Sequence, residues 1–328
     1  MRLHDRVHGS VQATEPLLVQ LVESPALQRL KGVDVAGYFE PWRPGSARNR
    51  FEHSVGVMWT LRTHGASVEE QAAGLIHDVS HGAFSHCLDY VLAEGGMPDW
   101  NQSDALMERF LEERTDIPAI VARHGLTVAA LLDDARHPLK EQPLPDLCAD
   151  RIDYSLRDAV ALGLITAETA RRWFAGLRVV EGKWAFADVE TARAFSEQFR
   201  QTNNEWYAGF PSAAVFRSVC DWLRHALQRG YLAEADLYGT DADVIARVNA
   251  YLAEDAALAR FWRAMSDPAG WKNDPSRSEA RTPCKMRLVD PLVSQGAALT
   301  RLSALQPDWG AIVQAESVPR DWYPVYEG

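Results

Sequence analysis

No run of apolar residues in this chain approaches the ~20 needed to span a bilayer as a helix. The opening MRLHDRVHGS lacks the basic-then-apolar layout of a secretory leader. Cysteine is scarce: Cys87, Cys148, Cys220 and Cys284 are far apart and form no C-x-x-C pair, which reads as reduced, semi-buried small hydrophobes rather than a disulfide framework. Internal repeats and low-complexity tracts are absent. Positive charge is in deficit, with a formal net charge of −11 over 328 residues. That field disfavours extensive nucleic-acid or anionic-membrane contact. These absences together predict a cytoplasmic protein with no membrane partner.

What is present is ordinary globular material, 47% hydrophobic and 24% charged, enough for a sizeable core. Helical periodicity predicts helices over 15–33 (broken near Pro25), 51–64, 67–79, 84–95, 101–114 and 144–162. The stretches PWRPGSARN (41–49) and EGGMPD (94–99) read as loops. Alternation over 177–187 predicts a hairpin turning at Glu181-Gly182, and 285–291 a second strand. Long helices are expected over 189–206 and 212–232, and Thr240-Asp-Ala-Asp243 reads as a capping box with Asp in place of Glu. The fold class expected is mainly α: a helical core over 1–175, then a helical region over 176–328 carrying a small β-hairpin element.

With ten His in 328 residues, a His-Asp pair arises on the order of once by chance, so its company decides its meaning. Here RFEHSVGV and AAGLIHDVSHGAFSH are followed by CADRIDYSLRD. The three segments supply imidazoles and carboxylates, a mixed N/O donor set that suits a hard or borderline divalent ion. His77 and Asp78 close a helix whose Ala72, Ala73, Leu75 and Ile76 are apolar, and ionisable groups at such a buried end need a partner. At about 100° per residue, Asp150, Tyr154, Arg157 and Asp158 share a helix face, with Arg151 and Asp153 at its edges. Such a stripe alone reads as a solvated face of ion pairs; beside two His-bearing helices it reads as a source of ligands. His4, His64, His124, His137 and His225 lack partners in sequence and read as surface or packing residues, and the tryptophans as core.

PGSARNRFEHSVGV (44–57), HDVSHGAFSH (77–86) and DRIDYSLRD (150–158) resemble the signature of HD-domain phosphohydrolases, more narrowly the deoxynucleoside triphosphate triphosphohydrolase branch. DRVHG (5–9) and ESPALQRLKGVDVAG (23–37) are similar to that branch's opening, so the likeness covers roughly 1–160. The resemblance implies an all-helical HD core and one divalent ion (Mn, Mg, Fe, Co, Ni or Zn) on His53, His77, Asp78 and Asp150. It implies His81 and Asp89 near the reacting phosphate with His86 beside them, Arg50 and Arg151 on phosphates, and Tyr154 and Asp158 at the sugar. It also implies a homo-oligomer. Three departures stand out. Gln102 and Ser103 occupy the place of a His-Glu pair whose His assists the leaving group, Val35 replaces a sugar-reading Gln, and NEWYAGFPSAAV (204–215) lacks the Arg and Tyr that pack around nucleotide. The function expected is hydrolysis of a nucleotide or similar small phosphorylated substrate by water that the ion activates, in its narrowest form dNTP triphosphohydrolysis. The rivals are a phosphomonoesterase or phosphodiesterase on another metabolite, and a catalytically weak nucleotide-binding regulator.

Overall fold

The computed structural model describes residues 1–92, 100–278, 281–296 and 298–328; the side chains of 89, 90, 92 and 100–106 lie outside that description. The chain opens with an antiparallel ribbon, β1 (Arg2–Asp5) and β2 (Gly9–Gln12), that the sequence reading did not anticipate. Its turn is built by Asp5, whose Oδ1 accepts the amides of Val7 and His8, both at 2.8 Å. Gly9 leaves the turn at φ +78, a conformation glycine adopts without strain.

Helices follow: α1 (Pro16–Glu23), α2 (Pro25–Arg29), α3 (Arg50–Thr63), α4 (Val68–Ile76), α5 (His86–Leu92), α6 (Trp100–Arg114), α7 (Ile117–Arg123), α8 (Val128–Leu132), α9 (Ala149–Ala161) and α10 (Ala167–Ala175). The expected break at Pro25 is real, and Ser24 caps the second piece by accepting the amide of Leu27 at 3.2 Å. Asn49 and Ser67 cap α3 and α4 in the same way. The helix expected over 67–79 stops at Ile76, because the amides of Val79 and His81 turn back to the carbonyls of Ile76 and Asp78. The one expected over 84–95 starts at His86, since Phe84 and Ser85 are left-handed at φ 60 and φ 48; the 94–99 loop reading lies outside the described residues. The helix expected over 144–162 begins only at Ala149. Pro145 disfavours helical geometry at Leu144, and Cys148 is extended at φ −142 and ψ 166.

The 177–187 hairpin is present as β3 (Leu177–Val180) and β4 (Lys183–Phe186), with Glu181 and Gly182 both at positive φ in the turn. Beyond it lie α11 (Val189–Thr202), a π-turn over Asn203–Tyr207, α12 (Phe210–Gln228), α13 (Asp241–Asn249) and α14 (Ala256–Ser266). Thr240 caps α13 in the expected box, with Thr240 Oγ1 accepting the amide of Asp243 and the Asp243 carboxylate accepting that of Thr240, both at 3.2 Å. The chain ends through β5 (Trp271–Asn273), β6 (Thr282–Cys284), β7 (Leu292–Gln295), β8 (Ala298–Arg301), α15 (Leu302–Leu305), α16 (Pro307–Ala315), β9 (Arg320–Trp322) and β10 (Pro324–Tyr326). The β content is thus larger than a hairpin. One sheet runs β3-β4-β7-β8 with β4 parallel to β7, and two-stranded pairs join β5 to β10 and β6 to β9. The strand expected over 285–291 is not formed. That stretch is held instead by single bonds, from the Arg287 amide to Asn203 Oδ1 at 3.1 Å and from the Asp290 amide to Pro145 O at 3.0 Å.

Two apolar clusters clamp the central helix pair. Val55 and Met58 of α3 pack with Leu18 and Leu21 of α1 and Leu75 and Ile76 of α4. Val57 and Leu61 pack with Ile152 and Leu156 of α9, and that cluster continues through Trp173 to Phe186 and Phe195 on the other side of residue 175. Helices α3 and α9 approach so closely at Gly56 that a Cβ there would lie 2.0 Å from Asp153 Oδ1 and 2.2 Å from Arg157 Nη2. Alanine normally gains about 1 kcal/mol over glycine inside a helix. Splitting a buried ion pair costs ~3–5 kcal/mol, so the steric effect wins. Gly56→Ala should therefore lower stability by ~2–4 kcal/mol in urea unfolding; a rise or no change would show that α9 yields freely at this point.

Candidate metal centre

Three elements converge: α3 brings Arg50 and His53, the turn after α4 brings His77, Asp78 and His81, and the first turns of α9 bring Asp150 and Asp153. His53 Nε2 is 2.9 Å from Asp150 Oδ1 and 3.6 Å from Asp78 Oδ2. His77 Nε2 is 3.4 Å from the same Asp150 oxygen and 3.6 Å from Asp78 Oδ1. One donor atom each from His53, His77 and Asp150 falls within 4.8 Å of the others.

The hydrogen bonds behind these atoms decide what belongs between them. His53 Nδ1 is 2.8 Å from Asp153 Oδ2, and His77 Nδ1 is 2.7 Å from Gly74 O. Both partners are acceptors, so both Nδ1 atoms donate. In a neutral imidazole Nε2 then carries only a lone pair. His53 Nε2 would set that lone pair against a carboxylate oxygen at 2.9 Å, while His77 Nε2 is sealed from solvent and makes no hydrogen bond among the described residues. Such atoms sit this close only with a proton or a metal cation between them. The donor set, two imidazole nitrogens and carboxylate oxygens with each imidazole fixed from behind, fits a divalent ion.

The electrostatics agree. Burial opposes a proton on His53, but its bonds to Asp150 and Asp153 and the charge of Asp78 outweigh that and hold its pKa up at about 10. His77 is raised against burial by Asp78 and Asp150. Asp78 and Asp150 are lowered despite burial, Asp78 first by Arg50 and Asp150 first by its bond to His53. A field that binds protons this firmly is a field for any cation. His81 is the exception. Burial, then the Arg50 charge, push it well below its ordinary value, so its resting form is the neutral imidazole.

The remaining expected residues are placed as follows. His81 Nε2 is 3.4 Å from Asp78 Oδ1, and its ring meets His86 edge-on at 5.1 Å. Arg50 donates to Asp78 Oδ2 at 2.5 Å and to Ser85 Oγ at 2.8 Å. Arg151 turns toward the loop before α9, donating to Gln142 O at 3.0 Å and Asp146 O at 2.5 Å, with Glu141 at 3.5 Å. Tyr154 packs on Tyr207 at 5.8 Å and Phe199 at 6.2 Å. Asp158 is held by Arg48 Nε at 2.5 Å and by the Tyr207 hydroxyl at 2.8 Å. The side chains of Asp89 and Gln102 lie outside the described residues. The sequence reading did not find Arg48, Tyr207, or Glu141 and Cys148, whose donor atoms form a second group with Asp150 within 4.8 Å. Tyr207 belongs to the very segment that departs from the family pattern. Asp153 sat at the edge of the helical wheel, where its i, i+4 spacing to Arg157 was the available signal.

Residues 50–158 match the HD domain family. The chain is 31% identical over 297 residues to the uncharacterized protein YdhJ of Bacillus subtilis, spanning 89% of this chain and 88% of that one. It is 37% identical over 191 residues to the metal-dependent phosphohydrolase cns2 of Cordyceps militaris, 58% of this chain and 52% of that protein. It is 27% identical over 228 residues to the deoxynucleoside triphosphate triphosphohydrolase SAMHD1 of Danio rerio, 55% of this chain and 36% of that protein. In fold it is similar to a solved phosphohydrolase of Bacteroides thetaiotaomicron, with TM-score 0.72 at 18% identity and full coverage of both chains. Fold, site and relatives together define a class: the chain belongs to the HD-domain metal-dependent phosphohydrolases. It is accordingly a hydrolase of phosphoester or phosphoanhydride bonds. Among its relatives it aligns along most of its length with YdhJ and only in part with the triphosphohydrolases.

The Asp153 contact generates a specific expectation. Partners that orient a ligating His are worth ~10–100-fold in metal affinity. Asp153→Asn should lower affinity for Mn²⁺ by that order in chelator competition, and Asp78→Ala should abolish stoichiometric metal content. Equal metal content in wild type and Asp78→Ala would remove Asp78 from the ligand set.

Proposed function

We propose that His53, His77, Asp78 and Asp150 hold one divalent ion and that the enzyme hydrolyses a nucleotide or similar small phosphorylated molecule. The observation that carries this reading is the facing of His53 Nε2 and Asp150 Oδ1 at 2.9 Å beside a neutral, half-buried His81. A divalent ion held by these residues would lower the pKa of a water and polarise a phosphoryl oxygen. His81, whose Nε2 lies 3.4 Å from Asp78 Oδ1, would orient the attacking water or share its proton. Arg50, shared with Asp78, reaches the substrate's phosphate as a charged fork, and Arg151 lies one residue beyond a ligand on α9. Tyr154 stacks at the sugar side, with Asp158 behind it in the grip of Arg48 and Tyr207.

Losing one charged donor costs ~1.5–3 kcal/mol, so Arg50→Ala should reduce kcat/KM by roughly 10–150-fold. Metal content is measured in parallel, because Arg50 also touches Asp78. Full activity on every accepted substrate would leave Arg50 a structural residue only.

Two features favour esters and anhydrides with good leaving groups over strict dNTP triphosphohydrolysis. Val35 offers an apolar side chain where an amide would read the sugar, and an apolar wall rejects an added hydroxyl only weakly. Gln102 cannot donate a proton to an alkoxide leaving group. Steady-state rates on matched dNTP, NTP and aryl phosphate substrates with Mn²⁺, Mg²⁺, Fe²⁺, Co²⁺ or Ni²⁺ test this. The expected order is aryl phosphate first and dNTP no better than NTP; strong dNTP preference with intact triphosphate released would reverse it.

A further inference from the structure

A cavity of about 510 Å³ lies between α2, the end of α6 and the segment from Leu232 to Arg247, lined by residues none of which belongs to the metal centre. Its volume is that of a small-molecule site, which typically spans ~300–1,000 Å³. One wall is aromatic: the rings of Phe110 and Tyr238 lie 5.3 Å apart at 32°, with the Arg29 guanidinium 5.7 Å over Phe110 and that of Arg114 4.9 Å over Tyr238.

The charges lining it do not cancel. Asp236 is taken by Arg247 at 2.8 Å, and Asp243 closes the cap of α13 on Thr240. Among the described residues neither Arg29 nor Arg114 has an ion-pair partner. Arg29 instead donates to three carbonyls, those of Gly239 at 3.1 Å, Val79 at 2.7 Å and His81 at 2.8 Å. Carbonyls occupy its Nη1 and Nη2 but form no ion pair, and the nearby Asp241 carboxylate acts on it only through its charge, in a chain whose net charge is −11. Guanidinium groups over aromatic faces form a setting for a planar anion, which can stack and pair at once.

The same bonds tie the cavity to the metal centre. Leu237 O accepts the amide of Ala83 at 2.7 Å, and Asp241 Oδ1 accepts that of Phe84 at 2.8 Å. A Cβ on Gly82 would lie 2.6 Å from Leu237 O, so the two backbones are in direct contact. The turn bearing His77, Asp78 and His81 is thus fastened on its outer side to the segment whose Asp236, Tyr238 and Gly239 line the cavity.

We propose that this cavity is a second ligand site, for a small planar organic anion, and that its occupant steadies the 77–85 turn through Arg29 and the 237–241 wall. The site stands independently of which phosphate ester the metal centre hydrolyses.

Naphthalene-1-sulfonate, which contains no phosphoester to hydrolyse, serves as the probe in calorimetric titration, with uncharged 1-naphthalenemethanol as its control. One saturable sulfonate site per chain is expected, weaker for the alcohol and retained in Asp78→Ala. Arg114→Glu, an exposed position, should weaken it by at least roughly tenfold, the loss of one charged contact, and Arg114→Lys should weaken it less. Amide exchange over 79–85 should slow on saturation. No saturable binding, equal binding of the alcohol, undiminished affinity in Arg114→Glu, or loss in Asp78→Ala would overturn the site. Saturable binding that leaves exchange over 79–85 unchanged would overturn the coupling.

Discussion

A single arginine, 1% exposed, fixes the relation between the chain's first turn, its central helix pair and its metal centre. Arg157 Nη2 lies 2.8 Å from Asp5 Oδ2 and 2.9 Å from Asp153 Oδ1. Asp153 in turn passes its other oxygen to His53 Nδ1. Charges this deeply enclosed gain little net stability as a set, but removing one member leaves the others uncompensated at a cost of ~3–5 kcal/mol. The consequence is geometric. Asp5 shapes the β1–β2 turn, Gly56 admits the ion pair against α3, and Asp153 sets the tautomer and ring plane of His53. The position of one Nε2 atom therefore depends on residues far away in sequence, at the chain's start and in α9.

Around this axis the charges are sorted by sign. The interior of the site is acidic, with Asp78, Asp150 and Asp153 held ionised, and the flank is basic, with Arg48, Arg50 and Arg151 each already engaged. Asp158 is paired with Arg48 and accepts the Tyr207 hydroxyl, which makes it an anchor for the aromatic layer of Tyr154, Phe199 and Tyr207.

The residues proposed to hold the ion were legible in the sequence, and the structure brings them together, because their spacing is local: a His-Asp pair at the end of an apolar helix and a second His-bearing helix. Helix α9 was only half legible. A wheel places Asp150 and Arg157 on one face, yet the structure turns Arg157 away from the site to Asp5, a partner no periodicity can reveal. The mirror error concerns Asp153, whose role depends on how closely α3 approaches at Gly56. Most of the β structure was illegible because strands of three or four residues show too little alternation to be distinguished from loop. The 285–291 stretch misled because it alternates like a strand while its amides bond to a side chain and a lone carbonyl. The length of α9 was overestimated through Leu144 and Leu147, which are apolar for reasons of packing in the loop that precedes it.

Arg50 is bonded to Asp78, a carboxylate that also faces both imidazoles. A guanidinium in that position competes for the electron pairs a cation would use, so any anion that draws Arg50 away raises the affinity of Asp78 for positive charge. Thermodynamic reciprocity requires the converse to the same degree: a cation on Asp78 releases Arg50 for anions. Under the roles proposed for Asp78 and Arg50, loading with metal and with phosphate is therefore cooperative, and the affinity for either partner has meaning only at a stated concentration of the other.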